Sequence, residues 1–575
     1  MTNVEIARIF SEIADILEIK EENPFKVRAY RKVTQLLESL PQEIEEIYKK
    51  GELYKLPGVG QSIAEKITEI IETGRLKYHQ KLKEGVPPGL LEMLRIPDMG
   101  PKTVALVYKK LGISTLKELE KAAREKKLRN VYGLGPKTEE NILKGMKLVK
   151  ERKERIPLHE ALVLAEDIVK KLQEAGIVER IAYCGSVRRR RETIGDVDIL
   201  ATSPHPARVM DIFTSLPRVE EVLAKGSTKS SILVGEGRQV DLRVVEQESF
   251  GAALHYFTGS KAHNIRIREL GVRKGLKINE YGVFVKKGEK EERIGGREEE
   301  DIFQSVGLPY IPPELREDWG EVEAAQRGEL PRLVRMEEIK GDLHIHTMWS
   351  DGANTVREVA IAAREKGYEY IGISDHSQSL KVAGGVSKDS FFQRIREIRA
   401  VDEEMPEIKV LAGTEVDILP DGTLDYPDEF LRELDVVIAS VHSNFKQEEE
   451  SMTKRIMKAM ENPFVDIIGH PTGRLLGERE AYRINMEKLL HHAAKTGTAM
   501  EINAYPDRMD LKDTHVRMAK DMGVKLVIGT DAHHLLQLEW IKYGVWVARR
   551  GWLESKDVLN TLDFPDFFTR LKKRS

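Results

Sequence analysis

Seven short segments in the C-terminal part of the chain carry residues able to bind metal: His344-Ile345-His346, Ser350-Asp351, Ser374-Asp375-His376, Gly413-Thr414-Glu415, Ser440-Val441-His442, Gly469-His470-Pro471 and Gly529-Thr530-Asp531-Ala532-His533. Alternate residues of a strand share a face, so His344 and His346 would present both imidazoles to one side. One lone histidine is usually structural. Imidazoles and carboxylates recurring in segment after segment read instead as a ligand set. Nitrogen and oxygen donors of this kind suit Zn²⁺, Mn²⁺ or Fe²⁺. Such metals activate water for attack on a phosphoester and stabilise the leaving oxygen.

A second constellation lies earlier in the chain: Gly185-Ser186-Val187-Arg188-Arg189, then Gly195-Asp196-Val197-Asp198-Ile199-Leu200, then Val240-Asp241-Leu242-Arg243. Asp196 and Asp198 project together from a strand and can share divalent metal ions. Two such ions can hold a triphosphate for in-line displacement. Gly185 and Ser186 offer a close backbone approach and a hydroxyl, and Arg189 can neutralise phosphate charge. An isolated Asp-x-Asp is often a solvated edge, and a run of arginines a solvated loop. The glycine and serine upstream and the third strand carboxylate, Asp241, favour the metal reading.

Three glycine-rich breaks in the first part of the chain look alike: Leu56-Pro57-Gly58-Val59-Gly60, Ile96-Pro97-Asp98-Met99-Gly100-Pro101 and Val131-Tyr132-Gly133-Leu134-Gly135-Pro136. Each precedes a helical pattern. A Gly-x-Gly turn opening a helix exposes backbone N–H groups at a positive dipole end, which suits a phosphate. One such break would be a plain connector. Three of them, in a stretch where residues 101–150 hold 13 basic and 5 acidic residues, point to Gly58, Gly60, Gly100, Gly133 and Gly135 as DNA backbone contacts. Asp98 stands where the second copy would have a glycine, which weakens phosphate contact there.

The elements that must position these residues follow from periodicity. Residues 1–155 read as almost wholly helical, with Ile6, Ile9, Phe10, Ile13, Ile16 and Leu17 at helical spacing. From about residue 158 the pattern is α+β, with a helix over Leu158–Ala175 and strands at 180–184, 196–201, 231–234, 239–245 and 281–286. From 341 onward, seven short β-runs alternate with helices, starting at Gly341, Tyr370, Lys409, Val436, Ile467, Ala499 and Leu526. This is the pattern of a parallel barrel, whose strand ends converge on one rim.

Composition sets the limits. At 575 residues the chain is long enough for several domains. It has no apolar run long enough to span a membrane, and its N-terminus, Met1-Thr2-Asn3-Val4-Glu5, does not read as a secretory signal. Cys184 is the only cysteine, which excludes a disulfide scaffold and a cysteine-based zinc finger. The formal net charge of −3 hides a split. Residues 1–300 hold 55 Lys+Arg against 47 Asp+Glu, and residues 301–575 hold 37 against 48. A near-neutral total therefore does not exclude a nucleic-acid partner.

On these residues, 1–300 resemble the family X DNA polymerases of the nucleotidyltransferase superfamily. His255-Tyr256-Phe257-Thr258-Gly259-Ser260 and Leu276-Lys277-Ile278-Asn279-Glu280-Tyr281-Gly282 extend the likeness. The resemblance implies that Asp196, Asp198 and Asp241 hold two catalytic Mg²⁺ or Mn²⁺ ions. It implies that Gly185, Ser186, Arg189 and Gly195 contact the triphosphate. Tyr256, Phe257 and Gly259 would shape the sugar pocket, and Asn264 would face the base. Lys261 sits where some members carry an acid that helps close the pocket. Leu56-Pro57-Gly58-Val59-Gly60-Gln61-Ser62-Ile63-Ala64-Glu65-Lys66-Ile67 resembles the family's lyase domain, with Lys66 at the Schiff-base position. Ser62 replaces a lysine there. Lys66 is either that nucleophile or a solvated or phosphate-contacting lysine.

The C-terminal half resembles the PHP (polymerase and histidinol phosphatase) family, which implies nine ligands: His344, His346, Asp351, His376, Glu415, His442, His470, Asp531 and His533. They suit a cluster of two to three Zn²⁺, Mn²⁺ or Fe²⁺ ions. Asp375 reads better as a support for its neighbours than as a ligand. His534, His491 and His492 have no place in the pattern.

The expected fold is therefore multidomain. It comprises a helical helix–hairpin–helix lyase-like domain (1–85), a fingers-like domain (86–155), an α+β nucleotidyltransferase palm (156–240), the end of the palm with the thumb or nucleotide-binding subdomain (241–310), a linker (311–340) and an α/β PHP domain forming a distorted (β/α)7 barrel (341–575). The expected function is gap-filling DNA polymerase in repair, with a PHP 3′–5′ exonuclease. The resemblance adds AP-endonuclease, 3′-phosphatase and 5′-deoxyribose phosphate lyase activities. Expected partners are gapped or primer–template DNA and deoxynucleoside triphosphates, with no membrane, in a cytoplasmic, nucleoid-associated monomer. Rival readings are a phosphoesterase that only grips DNA, a small-molecule phosphatase fusion and a repair scaffold.

Overall fold

The computed structural model describes residues 3–39, 44–56, 58–94, 96, 99–131, 133–136, 138–139, 142–143, 155–235, 237–287 and 290–571. The chain divides into two units, Met1–Glu154 and Arg155–Ser575.

The first unit is helical. Helices Asn3–Ile19 and Pro24–Ser39 bury Ile6, Phe10, Ile13, Leu17, Tyr30, Val33 and Leu37, joined by Ile67 and Ile70 of helix Gln61–Thr73. The three- and four-residue spacing of these positions keeps them on one stripe of each helix. A separate core gathers Leu90, Met93, Val104, Val107, Leu119 and Leu128. Gly60 and Gly100 cap helices Gln61–Thr73 and Pro101–Leu111 from extended backbone, with no side chain serving the first N–H groups. Asp98 lies outside the described residues.

Among the described residues the second unit holds four sheets, of which the five-stranded palm sheet and the seven-stranded barrel sheet carry the candidate sites. The strands run β1 (Ile156–Pro157), β2 (Arg180–Tyr183), β3 (Thr193–Ile194), β4 (Val197–Thr202), β5 (Val219–Lys225), β6 (Lys229–Val234), β7 (Arg238–Val245), β8 (Leu276–Asn279), β9 (Gly282–Lys287) and β10 (Lys290–Gly295). They continue as β11 (Gly341–Ile345), β12 (Tyr370–Ile373), β13 (Lys409–Asp417), β14 (Val436–Ser440), β15 (Ile467–Ile468), β16 (Ala499–Asn503) and β17 (Leu526–Gly529). The palm sheet has the order β2-β4-β7-β6-β5, and β8–β10 form an antiparallel meander. Strands β4 and β7 are parallel and place Asp198 opposite Asp241.

Strands β11 to β17 are parallel neighbours in chain order. An Ile345–Ala532 bridge returns the end of β17 to β11, so the sheet nearly closes. Strands β14, β16 and β17 are buried along their whole length, as expected where helices cover the outside of a barrel.

Two expectations change. Strand β5 was not read from the sequence: six of its seven residues are exposed, so no inward face shows; it pairs with β6, and Val219 at its start packs against the core. Residues 311–340, expected as a linker, are folded. They include helix Glu321–Arg327, and Ile311, Leu315, Val322 and Leu333 pack with Phe303 and Trp552. The Pro and charge content that reads as a linker conceals apolar positions spaced along a compact connecting segment.

Candidate functional sites

The first site grows from the β4–β7 ladder. Asp196 immediately precedes β4, Asp198 lies on it and Asp241 lies on β7. One carboxylate oxygen of each lies within 4.8 Å of the others. Burial pushes the Asp198 carboxyl up to about 7, and the charges of Asp196 and Asp241 add to the rise. Three carboxylates this close repel one another unless a cation joins them, so the donor set fits a divalent metal. Gln239 Nε2 donates to Asp241 Oδ1 at 3.0 Å and steadies it.

Gly185 opens the short helix Gly185–Arg188 with φ +58°, and a Cβ there would stand 2.5 Å from Asp198 Oδ2. No other residue type allows the turn to sit so close to the carboxylate. Ser186 lies in the first turn of the same helix, and Gly195 is exposed directly before Asp196. Arg189 makes its contacts within the chain. Its side chain is 12% exposed, donates from Nε to Glu317 Oε1 at 3.0 Å and from Nη1 to Thr258 O at 2.7 Å, and so braces the loop.

Tyr256 and Phe257 sit at the end of helix Phe250–Thr258 with ring centroids 5.1 Å apart, edge to face. Asn264 is buried, and its amide donates to Tyr256 O at 2.7 Å and Gly259 O at 3.3 Å. Its donors hold the aromatic turn in place and are not available to a base. A Cβ at Gly259 would meet Asn264 Oδ1 at 2.5 Å.

In the helical unit, Lys66 lies on helix Gln61–Thr73. Its Nζ donates to Ser62 Oγ at 2.7 Å and lies 5.3 Å from the Tyr78 ring centroid. Burial lowers its pKa, opposed by Glu65 and assisted by Lys26. A Cβ at Gly58, Gly60, Gly100 or Gly135 would meet nothing within 4 Å. Packing therefore does not demand these glycines, although Gly58 has φ +80°, and the space where a side chain would stand is open.

The second site sits at the C-terminal ends of the barrel strands, around a cavity of about 580 Å³. Three ligand groups each bring their donor atoms within 4.8 Å: His346, Asp351, His376 and His533; His344, His346 and Asp531; His376, Glu415 and His442. His346 and His376 each belong to two groups. His470 joins through Nε2, 2.8 Å from Glu415 Oε1. All nine expected residues thus come together. His344 Nε2, both ring nitrogens of His346, His376 Nδ1, Glu415 Oε2 and His470 Nδ1 are buried without a hydrogen-bond partner. Buried polar atoms are rarely left so, and this mixed imidazole–carboxylate set fits divalent cations.

Electrostatics sorts the imidazoles. Burial, reinforced by His533 and His376, lowers His346 to about 4, so it stays neutral and one of its ring nitrogens keeps a lone pair for a metal. Burial would also lower His442, but Glu415 and Asp417 outweigh it and raise the group to about 9.

Residues beneath the ligands hold them. His344 Nδ1 lies 2.6 Å from Glu501 Oε1, and His442 Nδ1 lies 2.6 Å from Asp417 Oδ1. Asp375 accepts from Thr347 N–H at 2.6 Å, Ser350 Oγ at 3.0 Å and Arg394 Nε at 2.7 Å, which agrees with a supporting role. His534 accepts from the Leu536 N–H at 3.1 Å. Glu501, Asp417 and Arg508 escaped the sequence reading. The signals were there for two of them: Glu501 is a lone acid inside a buried strand, and Asp417 shares a strand face with Glu415.

Family models match along the chain in the order of these parts. A "Helix-hairpin-helix domain" covers residues 1–76 and a "SAM-like Helix-hairpin-helix tandem" covers 90–147. "DNA polymerase beta palm" covers 155–242, "DNA polymerase beta thumb" 253–317 and "PHP domain" 342–505. The DNA polymerase/3′-5′ exonuclease PolX of Bacillus subtilis (strain 168) is 41% identical over 576 residues, covering 100% of both chains. A probable phosphatase of Thermoanaerobacter sp. (strain X514) is 32% identical over 231 residues, 38% of this chain and 89% of its own. DNA polymerase lambda of Rattus norvegicus is 27% identical over 346 residues, 55% of this chain and 56% of its own. Full-length likeness, the palm carboxylates and the histidine-lined barrel together place the chain in the family X DNA polymerases that carry a C-terminal PHP domain.

Proposed function

We propose that this protein fills short gaps in DNA during repair and trims 3′ ends in its barrel. The observation that carries the reading is the Asp196–Asp198–Asp241 cluster, assembled by the β4–β7 register beside the Gly185–Ser186 turn. The metals that these carboxylates would hold, Mg²⁺ or Mn²⁺, supply charge neutralisation for the triphosphate and activation of the attacking 3′ hydroxyl. The chain's own part is to position. Gly185 lets the turn approach Asp198, Ser186 offers its hydroxyl to phosphate, and the braced Tyr256–Phe257–Gly259 turn walls the sugar. The glycine turns at Gly58, Gly60, Gly100, Gly133 and Gly135 grip the DNA backbone.

In the barrel, His344, His346, Asp351, His376, Glu415, His442, His470, Asp531 and His533 would hold two to three Zn²⁺, Mn²⁺ or Fe²⁺ ions, which would supply phosphoester hydrolysis. Its activity is 3′–5′ exonuclease, with 3′-phosphatase and AP endonuclease as the same chemistry on other ends. Lys66 acts as the lyase nucleophile of base excision repair. The working parts divide at 1–85, 86–155, 156–240, 241–310, 311–340 and 341–575, in a cytoplasmic monomer. Among the described residues, no helix is long and apolar enough to cross a membrane.

The test is a 5′-phosphorylated one-nucleotide-gap duplex with Mg²⁺ or Mn²⁺, with and without nucleotides. The wild type extends the primer when nucleotides are present and degrades its 3′ end when they are absent. Asp198→Ala abolishes extension and keeps degradation. Extension that survives in Asp198→Ala overturns the assignment.

A further inference from the structure

Four successive residues of the loop that joins the Gly185–Arg188 helix to Asp196 are each held by the connecting segment or the barrel. Arg550 Nη1 donates to Arg189 O at 2.7 Å and to Glu317 Oε1 at 3.1 Å. The Arg190 guanidinium lies 4.1 Å from the centroid of the Trp546 ring. Arg191 Nη1 lies 3.4 Å from Glu317 Oε1. Arg474 Nη2 donates to Glu192 Oε2 at 2.7 Å.

These clamps are themselves anchored. Trp546 and Arg550 share helix Ile541–Arg550 at four-residue spacing, so both face the loop. Arg550 is 2% exposed, and its Nη2 pairs with Asp513 Oδ2 at 2.7 Å. The Glu317 side chain is 6% exposed. Exposed ion pairs hold little, but a buried, multiply bonded guanidinium fixes its partners tightly, because losing any one leaves a buried charge unmatched. Arg474 Nε donates to Arg508 O at 2.9 Å, and Arg508 Nε lies 3.3 Å from Asp531 Oδ2. One clamp therefore starts at the ligand cluster of the barrel.

We propose that Arg550 and Trp546, with Arg474, are positioning residues for nucleotidyl transfer. The barrel holds residues 189–192 so that Gly185, Ser186 and Asp196 meet the incoming nucleotide in register. None of the three touches the reacting groups; they act through the loop. Strands β4 and β7 belong to the palm sheet, and the barrel holds the loop that leads to them. The inference rests on the reading of Asp196, Asp198 and Asp241 as the polymerase site.

The test uses the full-length protein and compares Arg550→Met, Arg550→Lys, Trp546→Ala and Trp546→Phe with Asp198→Ala. Each is assayed for kcat and nucleotide KM in one-nucleotide gap filling, for 3′ degradation of single-stranded DNA without nucleotides, and for melting temperature. Arg550→Met and Trp546→Ala are expected to raise nucleotide KM roughly 10- to 100-fold, the scale of a small misplacement of reacting groups. Their 3′ degradation should stay within about twofold of wild type. Arg550→Lys, which keeps a cationic donor, and Trp546→Phe, which keeps a stacking ring, should recover most of the loss. An unchanged KM in Arg550→Met overturns the inference. So does a parallel fall of both activities with a lower melting temperature, which marks a merely structural role. If Asp198→Ala still extends the primer, the polymerase assignment fails instead, and the two failures are told apart.

Discussion

Gly185 and Asp198 occupy space that only one of them can fill: a Cβ on Gly185 would stand 2.5 Å from Asp198 Oδ2. The turn that approaches the triphosphate and the carboxylate that would hold metal are packed against each other. Gly185→Ala must displace the carboxylate and also force φ +58° on an alanine. Gap filling should fall at least about 100-fold, as reacting groups lose alignment. Single-turnover extension on a gapped duplex measures this, and 3′ degradation in the same preparation should persist.

Glu501 holds His344 through a 2.6 Å contact at Nδ1 and also accepts the His470 N–H at 2.6 Å. Glu501→Gln keeps the shape and removes the charge that orients the imidazole. Partners of this kind are worth roughly 10- to 100-fold in metal affinity or activity. A titration of 3′ degradation against Mn²⁺ should shift by that factor, while gap filling stays unchanged. Chelation followed by Mn²⁺ return should restore degradation in the wild type at far lower metal than in the variant.

Lys66 is lowered from its ordinary value chiefly by burial, and a neutral amine is what Schiff-base formation requires. Lys66→Ala should abolish the borohydride-trapped adduct with a 5′-deoxyribose phosphate end. Gap filling on a substrate already freed of that sugar should be kept. A trapped adduct of undiminished yield in the variant would show that another amine reacts.

Glu299 links the palm helix to the connecting segment, with Arg188 Nη2 at 2.7 Å and the fully buried Arg316 Nη1 at 2.5 Å. Burial alone would raise its carboxyl, but Arg316 and Arg188 outweigh it and hold it well below its ordinary 4.5. A carboxyl lowered on folding stabilises the native state above its unfolded pKa, and that stability is lost as pH falls through the folded value. Glu299→Gln leaves Arg316 buried and unmatched and should cost about 3–5 kcal/mol. Urea unfolding at neutral pH should show the loss. The difference from wild type should shrink progressively below about pH 4.5, where the wild-type carboxyl begins to lose its advantage.

Spacing along the chain was enough to place much of this protein. Asp196 and Asp198 share a strand face because strands alternate, and His344 and His346 do so for the same reason. The barrel was legible because its ligands recur at the ends of successive β-runs, and all seven of those runs form strands. Strand β5 was not legible, since a strand with six of its seven residues exposed has no apolar face to show. The connecting segment was misread because its apolar residues find partners far away in the chain, such as Trp552.

The amino-acid sequence by itself determined which donors exist and which share a face, because those are local properties of a backbone with a fixed period. It determined the helical first unit, the α+β palm and the barrel for the same reason. Only the tertiary structure decided the rest. The β4–β7 register brings Asp241 to Asp198. Asn264 and Arg189 turn inward to brace backbone carbonyls. Arg550 and Arg474 reach from the barrel to the loop before Asp196. Such pairings join residues far apart in the chain. They depend on the free energy of whole packed layers, which no local spacing records.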